Sequence, residues 1–283
     1  MNMKKALFIP VLLCGLGLAG VSSAAGFSVR LSSAYPTQGD TVIIGVQGSA
    51  STPLTATLGD QTADFFPFGG KYVAVLGLKV TAPTGWQKIT LKFSDGAAVA
   101  KWIDVLKKNI VVENLPIPPS LGVTAPQLVQ NLTDENAVIN KIVSEVTPQS
   151  YITKYFGLPL ANNTDITDRY GILRKTGDQE IWHLGTDFGG PKGSVVGAMN
   201  AGIVRFATST FSYGNMVIVD HGEGIYSMYL HMSKILVSVG QYVKQGEVLG
   251  LVGDTGFSTG NHLHISIKVN GVTVDPLRFV NVL

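Results

Sequence analysis

The sequence predicts an all-β protein of two domains: an amino-terminal immunoglobulin-like β-sandwich, then a short helical linker, then a carboxy-terminal antiparallel β-sheet domain. Three observations carry this. From residue 26 to about 106, apolar and polar residues alternate in short runs, a period-2 pattern that fits half-buried strands. Turn clusters such as Pro36-Thr37-Gln38-Gly39-Asp40 and Ala82-Pro83-Thr84-Gly85 separate those runs. Beyond residue 151 the chain becomes glycine-rich and strand-like again, and all five histidines lie there.

The elements follow in chain order. Residues 1–25 read as a secretory signal peptide: Lys4 and Lys5 give the positive start, 6–21 the apolar stretch, and Ser22-Ser23-Ala24-Ala25 the small residues for cleavage. Pro10, Gly15, Gly17 and Gly20 interrupt that stretch, which is too short for a spanning helix. The expected protein is therefore exported, periplasmic with a secreted or wall-associated location as the alternative, and has no stable membrane span after cleavage. Cys14 is the only cysteine, so the mature chain is expected to have no disulfide and no thiol nucleophile. Of 21 basic residues, Lys4 and Lys5 fall in the signal, leaving 19 against 19 acidic ones. That balance argues against a nucleic-acid partner, whose phosphates call for a basic patch.

The β-sandwich is assigned to 26–108, with strands over 41–47, 72–80 and 87–93. Residues 109–150 are assigned as a proline-rich linker and short helix. Leu115-Pro116-Ile117-Pro118-Pro119-Ser120 can continue neither a ladder nor a helix, because proline lacks an N–H and restricts the residue before it. Thr133 or Asp134 then caps a helix presenting Val138, Ile139, Ile142, Val143 and Val146 on one face. Residues 151–283 form the second domain.

Histidine both titrates near neutrality and binds metals, so the chemistry is sought in this second domain. On a strand, His262 and His264 project from one face roughly 7 Å apart. His183-Leu184-Gly185-Thr186-Asp187 offers an imidazole and a carboxylate that would stand roughly 13 Å apart if extended, so the segment must bend to share an ion. Gly185 is expected to tolerate the dihedrals of that bend. Together, His183, Asp187 and one histidine of the pair give three ligands, the number a catalytic zinc site uses while its fourth position stays open. Oxygen-only calcium sites do not call for histidine. His231, ending the apolar run in Tyr229-Leu230-His231, is a candidate acid or base beside the metal. His221, in the glycine turn Asp220-His221-Gly222-Glu223-Gly224, is assigned a structural role.

These residues, His183-x-x-x-Asp187, Tyr229-Leu230-His231 and His262-Leu263-His264, resemble the lysostaphin or LytM-type zinc endopeptidases. Asp187-Phe188, Gly240-Gln241-x-Val243-x-x-Gly246 and Gly253-x-x-Gly256-x-Ser258-Thr259-Gly260 support the match in the family's order. The resemblance covers roughly 151–283. It implies an antiparallel sheet with a groove, one zinc ion per chain on His183, Asp187 and His264, and His231 and His262 as catalytic partners. One of that pair would remove a proton from water while the other stabilises the oxyanion. The implied substrate is a peptidoglycan stem peptide or cross-bridge. Asn261 before the histidine pair and Ile265-Ser266 after it depart from the family's usual Pro and Phe-Glu, leaving the metal set intact.

The alternative reading is a noncatalytic LytM-fold protein that binds cell wall or activates another wall hydrolase. The run Val239-Gly240-Gln241-Tyr242-Val243-Lys244-Gln245-Gly246-Glu247 also resembles lipoyl and biotinyl carrier domains, without their lysine hairpin. The amino-terminal region is a candidate for an autoinhibitory contact, with Asn162 or Asn163 able by composition to fill the fourth metal position.

Overall fold

The computed structural model describes residues 27–160 and 165–281. The expected signal peptide at 1–25, Asn162 and Asn163 lie outside the described residues. Two four-stranded antiparallel sheets build the amino-terminal module. One runs Ser28–Leu31, Thr41–Gln47, Lys71–Gly77, Phe66–Phe68; the other runs Gln61–Asp64, Pro53–Leu58, Gly85–Phe93, Ala98–Val105. Val42, Ile44, Val46, Leu76, Ile89, Leu91 and Ile103 from both sheets share one core. Strand Gly85–Phe93 alternates as expected, with Trp86 and Lys88 exposed and Ile89, Leu91 and Phe93 buried.

Thr41–Gln47 and Lys71–Gly77 do not alternate in burial, and the reason lies in the second domain. Their outward residues Ile43, Val73 and Val75 join the apolar core that holds Val272 and Val274. A strand covered on both faces reads as a continuous apolar run. At Gly77 a Cβ would stand 2.9 Å from Val274 Cγ1, so glycine permits the close approach. Asn270 donates its side-chain N–H to the Val75 carbonyl at 2.9 Å, and Arg278 pairs with Asp40.

Strand Val112–Asn114 runs parallel to Ile172–Thr176, which pairs with Gln179–His183. The chain upstream of the prolines thus supplies an edge strand to the second domain. Helix Ala125–Val143 has 19 residues and starts earlier than Thr133 or Asp134 would allow. Its cap is Thr124, whose backbone N–H donates to Gln127 Oε1 at 2.9 Å. Pro126 disguised this start; proline is tolerated in a first turn because the N–H there has no helical partner. Among the described residues no helix is long and apolar enough to cross a membrane.

The main sheet of the second domain orders Ile166–Asp168, Thr186–Gly189, His262–Val269, Ile225–Met232, Gly214–Asp220, Gly202–Thr210, Tyr242–Val243, with Val272–Val274 added on His262–Val269. Leu263, Ile265, Ile267 and Val269 point into the core. His264, Ser266 and Lys268 therefore occupy the opposite face, opposite Leu230, Met228 and Tyr226 in register. Helix Ala125–Val143 packs on this same face, where Ile139 and Val143 meet Met216, Ile218, Tyr226, Met228 and Leu230.

Candidate metal centre

Strand pairing sets Asp187 opposite His264, and Leu230 opposite His264 on the other side. His183 ends its own strand, and the chain bends so that His183 Nε2 lies 3.0 Å from Asp187 Oδ1 instead of the extended separation. Gly185 serves this bend by lacking a side chain. It does not take a positive φ, but a Cβ there would stand 2.2 Å from His264 Nε2. The glycine leaves room for the imidazole.

His183 Nε2 is 3.0 Å from His264 Nδ1, and His264 Nδ1 is 2.7 Å from Asp187 Oδ1. The partners on the far sides of the rings decide what these contacts mean. His183 Nδ1–H donates to the Arg169 carbonyl at 2.9 Å, since a carbonyl can only accept. Ser266 spends its hydroxyl proton on the Leu184 carbonyl at 2.7 Å, so it accepts from His264 Nε2–H at 2.9 Å. With one proton apiece, spent on those far-side partners, the two rings turn bare nitrogens toward an acceptor-only carboxylate. Three lone pairs converge with no proton of their own, an arrangement that a cation satisfies. Bonds of about 2.0–2.1 Å in a tetrahedron set ligand atoms about 3.3 Å apart, so an opening of a few tenths of an ångström admits zinc. The residues fit the metal.

His231 reaches the same place by a backbone irregularity. Asn215 pairs with Met232 and Val217 with Tyr229, so Leu230 and His231 together face Met216 in a β-bulge. His231 takes φ 63°, an unusual left-handed conformation for a non-glycine residue. Strict alternation would send it to the face opposite Leu230; the bulge returns it to the histidine side. Its Nδ1–H donates to the Thr255 carbonyl at 2.8 Å, and its ring centroid lies 4.9 Å from that of His262. His262 Nδ1–H donates to the Gly260 carbonyl at 2.8 Å, leaving Nε2 bare and 3.9 Å from Asp187 Oδ1.

Burial pushes His264 down to about 4 even though Asp187 opposes the shift, and pushes His231 down to about 3 with help from His262 and His264. Both rings are neutral at pH 7. For Asp187 burial acts upward, but the charge and N–H that a protonated His264 or His183 presents outweigh it and hold the carboxyl well below the usual range. His221 stands apart from this cluster, fully buried, with Nδ1 2.7 Å from the Ala201 carbonyl and Nε2 2.7 Å from Ser227 Oγ. Both its nitrogens are engaged in holding the turn.

Residues to which the sequence reading gave no role complete the surroundings. Arg174 places Nη2 3.0 Å from Asp187 Oδ2 and 2.5 Å from Asp168 Oδ2. Ser266, one of the departures from the family pattern, takes the far nitrogen of His264. A cavity of about 360 Å³ opens from His183, His231 and His264 toward Val129, Leu132 and Asn136 of the helix.

Residues 182–276 match peptidase family M23. The chain is 40% identical over 95 residues to the DD-carboxypeptidase/endopeptidase Mpg of Neisseria meningitidis, and 42% identical over 96 residues to the peptidoglycan DD-endopeptidase ShyA of Vibrio cholerae. Each match covers 34% of this chain and 22% of the relative, so the chain spans about a fifth of their length. A crystal structure from Pseudomonas aeruginosa assigned to peptidase M23 superposes with a TM-score of 0.68 at 26% identity, covering 88% of this chain and 96% of that one. Shared sequence around the histidines, in a fold that extends over both domains, identifies residues 182–276 as a peptidase family M23 domain.

Proposed function

We propose that this chain is an exported, periplasmic zinc metalloendopeptidase that hydrolyses peptide cross-links of bacterial peptidoglycan. In this reading His183, Asp187 and His264 hold one zinc ion, and His231 and His262 serve the reacting atoms. The observation that carries it is the convergence of three proton-free ligand atoms beside two further imidazoles whose bare nitrogens are fixed by carbonyl acceptors. The names of Mpg and ShyA support the substrate class and an extracytoplasmic location. The units are 26–108, 109–150 and 151–283, with strand Val112–Asn114 docked on the last.

Zinc, when bound, supplies Lewis acidity toward a peptide carbonyl and lowers the pKa of water. The chain's own part is to place bases and to manage the proton. Nε2 of His231 or His262 accepts a proton from water, and the same nitrogen then carries it to the departing amine. The Thr255 and Gly260 carbonyls hold each ring by Nδ1–H, so Nε2 is the nitrogen that stays available.

The reading includes latency. Helix Ala125–Val143 lies on the histidine face, and Val129, Leu132 and Asn136 wall the cavity a peptide would need. Glu135 accepts the Ser212 N–H at 2.9 Å, and Tyr213 donates its hydroxyl to Asn136 Oδ1 at 2.9 Å. These contacts make the helix the autoinhibitory cover in this proposal.

The test is digestion of purified peptidoglycan by the zinc-loaded protein, beside a chelated sample and His262→Ala, with muropeptides resolved by mass. New amino termini lost in both controls support the endopeptidase. Bound zinc without cleavage, in both the wild type and a variant with a loosened helix, favours the noncatalytic wall-binding or activator reading.

A further inference from the structure

The far oxygen of Asp187 has a partner outside the matched domain. Arg174 lies on strand Ile172–Thr176, upstream of residues 182–276. Its Nη2 donates to Asp187 Oδ2 at 3.0 Å, while Asp187 Oδ1 faces His183 and His264. Asp168 Oδ2 takes the same Nη2 at 2.5 Å and fixes the guanidinium. The Arg174 and Asp187 side chains are 16% and 6% exposed, so little water competes for the contact. The Arg169 carbonyl that sets the tautomer of His183 belongs to the same stretch. Residues 168–174 thus hold two of the three ligands from behind.

We propose that Arg174 is a positioning residue of the metal centre, which confines Asp187 to coordination through Oδ1 and so keeps the fourth position open. A carboxylate free at both oxygens can turn and offer the second one to the ion, filling the place that water or substrate needs. With Oδ2 bound to a guanidinium held by Asp168, that rotation costs a buried ion pair. Lysine at this position retains the charge but lacks the rigid planar group that aims one nitrogen at both carboxylates, so it replaces arginine only in part. Asp168 acts through Arg174, one step further from the ion.

This inference rests on the zinc reading, and the experiment separates the two. Zinc affinity is measured by chelator competition for the full chain as wild type, Arg174→Met, Arg174→Lys and Asp168→Asn, with circular dichroism and melting of the metal-free forms to establish folding. Cobalt(II)-loaded samples report coordination number through the intensity of their visible bands. The expected result is a strong four-coordinate cobalt spectrum for the wild type. Arg174→Met should weaken zinc binding about 10–100-fold or shift cobalt to a weak, higher-coordinate spectrum. Arg174→Lys and Asp168→Asn should fall between them. A wild type that binds no zinc overturns the metal reading and this proposal with it. A wild type that binds zinc, beside a folded Arg174→Met with the same affinity and cobalt spectrum, overturns the role of Arg174 alone. Should Arg174→Met not fold, wild-type behaviour of both conservative variants overturns it equally.

Discussion

Gly185→Ala tests the geometry of the candidate centre with a single methyl group. A Cβ at 185 would stand 2.2 Å from His264 Nε2, 2.5 Å from His264 Cε1 and 2.5 Å from the Ile265 carbonyl oxygen, whereas ordinary contact begins at 3.4 Å. The backbone oxygen belongs to the strand paired with Thr186–Gly189, so it cannot swing away; residue 185 itself must shift off that oxygen and the ring must move by about an ångström. Such a shift breaks the 2.9 Å bond between His264 Nε2 and Ser266 and carries Nδ1 out of the cluster. Overpacking of this kind costs about 1–3 kcal/mol of stability. Displacing a proposed ligand and its supporting bond should weaken zinc binding by at least about 10–100-fold. Misplacement by about 1 Å costs turnover about 100-fold. Chelator competition, melting of the metal-free protein and peptidoglycan digestion read the three effects. Metal affinity and melting temperature equal to the wild type would refute the packing argument for Gly185, because no rotamer of alanine avoids the overlap.

Three further outcomes are expected. His262→Ala should keep the fold and the zinc, since it leaves His183, Asp187 and His264 untouched, yet lose cleavage by about 100-fold or more; full activity would remove His262 from the reaction. Glu135→Ala removes the acceptor of the Ser212 N–H, loosening the helix by about 1 kcal/mol. If the helix covers the groove, digestion should then speed up roughly fivefold, and an unchanged or slower rate argues against latency. Acid should destabilise the metal-free protein through His221, whose burial pushes it down to about 4 from 6.5. Between those values the unfolded chain binds the extra proton, so this stabilisation is complete above about 6.5 and is lost as pH falls toward 4, a difference of about 3 kcal/mol. Urea midpoints at pH 7 and pH 4 check it, and equal midpoints would contradict a buried neutral His221.

How much of this was legible in the sequence depends on the range over which each feature is determined. His262-x-His264 declares its geometry locally, because the two-residue period of a strand places both rings on one face, and the structure has that strand. His183 and Asp187 required a bend that the spacing demanded, although the reason for Gly185 is space beside a ring brought from residue 264 and not a dihedral. His231 is different in kind. Its direction comes from a bulge that depends on pairing with 215–217, and no property of Tyr229-Leu230-His231 announces an extra residue. The helix start was hidden by Pro126, which reads as a breaker until one sees that a first turn has no use for the missing donor.

Arg174 was the least legible of all, nine positions before His183 in the short run Ile172–Thr176, where nothing in residue type or spacing marks it. Its meaning depends on a hairpin that sets residue 174 opposite 181, beside a sheet in which 168 pairs with 187. Chemistry-bearing side chains can be found from residue type and spacing, because the metal limits what its ligands are. The groups that aim those ligands are not so limited: a backbone carbonyl at 169 or 255, a serine at 266 and a guanidinium at 174 all serve, and only the fold selects among them. On the proposal made for Arg174, residues 168–174, which the family match does not include, belong to the same functional unit as residues 182–276. A chain cut between Arg174 and His183 would retain every proposed ligand and lose the groups that hold two of them in place.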